Sequence, residues 1–155
     1  MSHLNLIGAT GEYFVCAELC RKGVLAILTP KNNPLFDIVA TSLDGKKSVT
    51  IQVKTRSIQN KLGWRLGAKF SATTQNIDFV VLVNLLAEGS PEYYVYTHTE
   101  LAKRVESIYA SYISQPKKDG MPRKDVGFRW FDENSFSTED KSRKNNWSKI
   151  IDKLQ

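Results

Sequence analysis

The sequence predicts a mixed α/β fold, one β-sheet flanked by helices. Three observations carry this. The opening segment is rich in Ala, Leu, Glu and Cys and stops at a glycine. Two β-rich runs flank Asp44-Gly45, a strong hairpin signal. A near-continuous apolar run, Phe79 to Leu85, is followed by a second strand and a capped helix.

Taken in order, residues from about Leu6 to Lys22 read as a helix, with Gly23 as its stop. Val24 to Thr29 reads as a short buried strand ended by Pro30, and Lys31-Asn32-Asn33-Pro34 as a loop. Phe36 to Thr41 and Ser48 to Thr55 form the hairpin, and Gln59 to Gly67 a loop or weak strand. Phe79 to Leu85 has the character of a central strand buried on both faces. Tyr93 to Tyr96 is another strand. Thr97-His98-Thr99-Glu100 forms a capping box that opens a helix of about Glu100 to Ile113. Gln115 to Gly127 is a polar loop, Phe128 to Phe131 a last strand, and Trp147 to Leu154 a last helix. The 155 residues suit one domain, whose core is read as about 6–97 with a C-terminal extension over 98–155.

Composition narrows the function classes. Hydrophobic residues make up 41% and charged residues 25%, which excludes collagen, coiled coil and wholesale disorder. No stretch approaches the roughly 20 apolar residues of a membrane-crossing helix. The first residues lack the basic-then-apolar pattern of a secretory leader. Two cysteines make no disulfide framework, which fits a reducing cytoplasm. The net charge of +6 is unevenly placed: between Asp44 and Asp78 there is no acid, but there are Lys46, Lys47, Lys54, Arg56, Lys61, Arg65 and Lys69. Concentrated positive charge attracts a polyanion, because phosphates neutralised by it release counterions. A solvated basic surface without a partner is the plainer alternative.

The hairpin gathers a polar group. If Asp44-Gly45 centres the turn, paired residue numbers sum to 89 and Asp37 stands opposite Gln52. Opposed residues share a face with Cβ atoms ~5 Å apart, and Lys54 lies on that face two residues on. Phe36, Ile38, Ala40, Val49, Ile51 and Val53 point the other way. On the first helix, Glu12 falls in the middle of the stripe of Val15, Cys16 and Leu19. A carboxylate there needs a partner or a cation. Gly8 and Gly11 flank it and permit close backbone approach. Two carboxylates, an amide oxygen and a lysine are the parts of a magnesium-dependent phosphodiesterase. The plainer alternatives are a solvated hairpin face, and a helix N-terminal acid at Glu12.

At Gly11-Glu12, Phe36-Asp37-Ile38-Val39 and Ile51-Gln52-Val53-Lys54-Thr55 the sequence resembles the PD-(D/E)XK nuclease superfamily. It is most similar to the small Holliday-junction resolvases of archaeal type. The resemblance covers roughly residues 6–97 and implies a restriction-endonuclease-like core. It further implies Asp37 as central metal ligand, Glu12 as helix-borne ligand, the Val53 carbonyl as a further ligand and Lys54 as catalytic lysine, with Mg²⁺ or Mn²⁺ as cofactor and DNA as substrate. Gln52 stands where the family usually has Asp or Glu, which removes a negative charge and predicts weaker metal affinity. Pro34 precedes Asp37 by three positions instead of one. A homodimer is the family-like expectation, with the C-terminal helix and Phe128–Phe131 as dimer surface or core.

Nucleic acid contacts are expected from Lys46, Lys47, Arg56, Lys61, Trp64, Arg65 and Lys69, with Trp64 stacking on a base or instead covering the sheet edge. Cys16 and Cys20 read as small buried residues, and His98 as a surface residue inside its capping box. Two rivals to the nuclease remain: a nucleic-acid-binding module that kept the fold and lost the chemistry, and a protein-interaction subunit.

Overall fold

A computed structural model describes residues 3–30, 33, 35–72 and 76–155. It contains helices α1 (His3–Arg21), α2 (His98–Ser114), α3 (Thr138–Ser142) and α4 (Ser148–Leu154). The strands are β1 (Leu25–Leu28), β2 (Ile38–Thr41), β3 (Ser48–Ser57), β4 (Trp64–Gly67), β5 (Phe79–Leu85), β6 (Glu92–Thr97) and β7 (Phe128–Phe131). Five of them form a sheet in the order β1-β2-β3-β5-β6, in which only β3 and β5 run parallel. This is the expected mixed sheet.

The hairpin register is the expected one. Ile38 pairs with Ile51 and Ala40 with Val49, so the numbers sum to 89. The turn is wider than two residues: the Ser42 amide donates to the Lys47 carbonyl, and Gly45 takes a positive φ of 71° at the tip. The centre is unchanged, so the pairing survives.

Strand alternation sends side chains to two faces, and each face has its own core. On one, Ile38, Ala40, Val49, Ile51, Val53, Val81 and Val83 pack against Val15 and Leu19 of α1 and Ile150 and Leu154 of α4. On the other, Val80, Leu82, Tyr94 and Tyr96 pack against Leu101 and Val105 of α2 and Trp64, Leu66 and Phe131. β5 is therefore buried on both faces, as its apolar run predicts. The C-terminal segments, for which the sequence offers no likeness, contribute to both cores.

One expectation changes, and two readings left open are resolved. β1 is not a buried strand: it lies at the sheet edge, with Leu25 47% and Ile27 54% exposed. β4 is a true strand, paired antiparallel with β7 in a second, two-stranded sheet. That pairing makes Phe128–Phe131 a core strand, with Phe131 buried. Gly63, just before β4, takes φ +96° and passes so close to the Phe131 carbonyl oxygen that a Cβ would lie 2.2 Å from it. A short 3₁₀ turn (Glu133–Ser135) and α3, capped by Ser137 and Asp140, were not foreseen. Among the described residues no helix is long and apolar enough to cross a membrane.

Besides packing through Val15 and Leu19, α1 comes very close to β3 at Gly11. A Cβ on Gly11 would lie 1.9 Å from Thr55 Oγ1 and 2.9 Å from Thr55 Cβ. Gly8 meets nothing within 4 Å, so of the two glycines that flank Glu12 only Gly11 is needed for close approach. Gly11→Ala should destabilise the fold by roughly 1–3 kcal/mol through overpacking, despite the ~1 kcal/mol of helix propensity it gains. Urea denaturation of the variant, alone and combined with Thr55→Gly, checks this; the double variant should recover most of the loss.

Candidate active site

The candidate site forms where β2 ends and β3 continues. β2 pairs with β3 only as far as Ile38–Ile51, while β3 runs on to Ser57. Beyond that pair no strand among the described residues pairs with the β2 side of β3, and Asp37 stands there instead. Its backbone is held from both sides: its amide donates to the Ile51 carbonyl at 3.0 Å, and its carbonyl accepts from the Thr29 amide at 2.9 Å. Its side chain takes the place of the missing strand. Asp37 Oδ2 accepts a 2.7 Å hydrogen bond from the Val53 amide. A short bond from a backbone donor to a carboxylate holds the side chain in one orientation.

The environment of Asp37 is unfavourable for a bare negative charge. Burial raises its pKa above the usual carboxylate value, while the Val53 amide and the Lys54 charge oppose that rise. A divalent cation would relieve the same cost.

Gln52 and Lys54 share the β3 face opposite α1, as the alternation predicts, and both line one cleft. Gln52 Oε1 is buried and has no hydrogen-bond partner among the described residues. A buried acceptor left unmatched costs about 1–3 kcal/mol, so this oxygen suits an external donor or a cation. Glu12 lies on α1, half-buried, one residue from the Gly11–Thr55 contact. Its charge, after burial and Cys20, helps push the Cys16 thiol up to about 11. Such a thiol is protonated and unreactive at neutral pH. Cys16 is half-buried and Cys20 exposed, so only the first fits the reading of both as small buried residues.

Among the described residues there is no group of three or more His, Cys, Asp or Glu side chains able to hold a metal ion. The groups that the sequence proposes as ligands, the Asp37 and Glu12 carboxylates, the Gln52 amide oxygen and the Val53 carbonyl, are all hard oxygens. That donor type suits Mg²⁺ or Mn²⁺ and suits softer metals poorly.

The basic residues divide into two sets. Lys46, Lys47, Lys61, Arg65 and Lys69 are exposed. Lys46 stands 3.5 Å from Asp44 at the hairpin tip, and Arg65 covers the Phe128 ring at 4.4 Å. Arg56 and Trp64 belong to the interior. Arg56 pairs with Glu133, donates to Asn84 Oδ1 at 3.0 Å and lies 4.3 Å over the Trp64 ring. Trp64 is 1% exposed and donates its indole N–H to the Val83 carbonyl at 2.9 Å. Both side chains are spent inside the fold, so neither is placed to meet nucleic acid. Trp64 takes the plainer of its two readings, as packing.

His98 departs furthest from expectation. It is 2% exposed instead of lying on the surface, and it lines the same cleft as Gln52 and Lys54. The capping box itself forms as read: Thr97 Oγ1 accepts from the Glu100 amide at 3.2 Å and Glu100 Oε2 from the Thr97 amide at 3.0 Å.

No protein-family model and no curated protein sequence matches the chain. Solved structures do. The bacterial homing endonuclease I-Ssp6803I superposes with a TM-score of 0.53 at 12% identity, covering 96% of this chain and 92% of that one. Hjc, a Holliday junction resolvase from the archaeal hyperthermophile Archaeoglobus fulgidus, superposes with a TM-score of 0.51 at 14% identity, covering 96% of this chain and 98% of that one. At such identities the likeness is one of fold. The chain therefore has the resolvase-like, restriction-endonuclease-like fold that its sequence motifs imply.

Proposed function

We propose that the protein is a Mg²⁺- or Mn²⁺-dependent endonuclease that hydrolyses DNA phosphodiester bonds. The observation that carries this is the fork, where Asp37 is locked by the Val53 amide beside Lys54 and the unmatched Gln52 oxygen. The fold shared with a homing endonuclease and a Holliday junction resolvase supports it.

Asp37, the Gln52 side-chain oxygen, the Val53 carbonyl and Glu12 would hold the ion. When bound, it would lower the pKa of a water and offset charge on the phosphate. Asp37 presents its free oxygen from a fixed position, because Oδ2 is already engaged. Lys54 orients or deprotonates the attacking water, or balances charge as the phosphate becomes more negative. The exposed Lys46, Lys47, Lys61, Arg65 and Lys69 hold the backbone phosphates on either side. A homodimer acting on two strands is part of the proposal.

Gln52 favours a second reading. With an amide in place of the usual carboxylate, the site carries one negative charge fewer, which suits a DNA-binding module without cleavage. Such a module would bind DNA in a salt-sensitive way, and Asp37→Ala would leave its affinity unchanged. A protein-interaction subunit of the same fold would shift neither DNA nor RNA at low salt.

Purified protein with Mg²⁺ or Mn²⁺ should cut at least one of duplex, branched and single-stranded DNA. If all three stay intact, the enzyme reading is wrong. Lys54→Ala should lower the cleavage rate by about 10²–10⁴-fold, the range for a positioned proton-transfer group, while keeping metal binding by calorimetry. Asp37→Ala should abolish both.

Asp37→Asn separates charge from shape. Because burial raises the Asp37 pKa, the wild type loses stability as pH rises from the unfolded carboxyl value through the folded one. The uncharged variant lacks this loss. Without metal it should therefore melt higher than wild type at neutral pH and about equally at low pH. Mn²⁺ should raise the melting temperature of the wild type only. Removing any one exposed lysine of the basic set should weaken DNA binding and reduce the slope of log affinity against log salt by about one.

A further inference from the structure

His98 is a buried titratable group that the proposed chemistry does not use. Neither ring nitrogen has a well-formed hydrogen bond among the described residues. The imidazole lies 4.6 Å from the Phe70 ring, tilted by 38°. Burial pushes its pKa below the usual histidine value, with the Phe70 backbone opposing. A neutral imidazole offers one donor and one acceptor side by side. That pair matches poorly with a phosphate, which asks for donors, and well with the edge of a nucleobase.

The cleft it lines has a volume of about 230 Å³. Its walls are of two kinds. Leu35, Phe70 and Ile77 are apolar, while Lys54 and Lys69 carry the cations. Pockets for drug-sized ligands run to roughly 300–1,000 Å³, so this one is sized for a single ring system and not for a base pair. An apolar slot with a donor–acceptor pair at its wall and two cations beside it has the chemistry of one nucleotide: base inside, phosphate on the lysines.

We propose that this cleft seats a single unpaired nucleobase of the substrate, with its edge on His98, its face against Phe70 and its phosphate on Lys54 and Lys69. The inference rests on the nuclease reading of the adjoining Asp37–Lys54 site and deepens it. The substrate class it names is DNA with an unpaired or readily extruded base beside the cut, such as a single strand, branch or mismatch. Continuous duplex has to unstack a base to use the slot and is the poorer ligand.

The test is binding without cleavage, in EDTA. The chain has two histidines, His3 and His98, so NMR on protein with isotope-labelled histidine, compared with His3→Asn, assigns the His98 ring. A short single-stranded oligonucleotide should shift the His98 ring signals, and a blunt duplex of the same sequence should shift them less. His98→Phe, which fills the slot, should weaken single-strand binding about tenfold, within the range for loss of one stacked base, and close the gap between the two ligands. His98→Asn, which keeps a donor and an acceptor, should retain part of it. Three results overturn the proposal: oligonucleotide binds while the His98 signals stay still, both ligands shift them equally, or nothing binds. Cleavage of DNA together with silent His98 signals would remove this inference and leave the nuclease reading standing. A shifted His98 without cleavage in Mg²⁺ or Mn²⁺ would do the reverse.

Discussion

The candidate site depends on one hydrogen bond, from the Val53 amide to the Asp37 carboxylate. It exists because β2 ends short of its partner. A buried strand amide without a ladder partner has to be satisfied, and a side-chain oxygen does here what a neighbouring strand would otherwise do. The same bond holds a carboxylate in partly dry surroundings, where its pKa rises. Closing the sheet edge and placing a buried carboxylate are thus one structural event. The cost in stability of holding the charge there is of the kind commonly stored at functional sites.

The rest of the fold supports that fork. β3 is hydrogen-bonded to β5 from Ile51–Phe79 to Ser57–Leu85, so it stays held in the sheet where β2 leaves it. α1 presses on it at Gly11–Thr55 from one side. From the other, Arg56 ties β3 to Asn84 of β5 and to Glu133, and Tyr94 of β6 donates to Glu133 Oε1 at 2.9 Å. Thr55 and Arg56, the two residues after Lys54, are thus fixed on opposite faces of β3, which leaves the adjoining backbone of Lys54 little freedom.

The basic stretch divides into an interior and an exposed set that charge alone does not separate. Arg56 is an internal strut, its cost of burial offset by Glu133, Asn84 and the Trp64 ring. The lysines of the turn and of the loops flanking β4 stay in water, where long-range attraction to a polyanion costs no desolvation. His98 shows the converse case, a polar residue with surface character in sequence that is enclosed by α2, Phe70 and β3.

Local chemistry in the sequence determined the helix start at Thr97, the hairpin register, the double-sided burial of β5 and the grouping of Asp37, Gln52 and Lys54. Each follows from turn residues, a period of two or capping, which act within a few residues. Tertiary structure alone decided the pairing of β4 with β7, the parallel seam of β3 with β5, the interior placement of Arg56 and Trp64 and the enclosure of His98. These contacts join residues tens of positions apart. Whether a polar side chain meets water or another part of the chain depends on which distant segment covers it, and residue type and spacing carry no record of that.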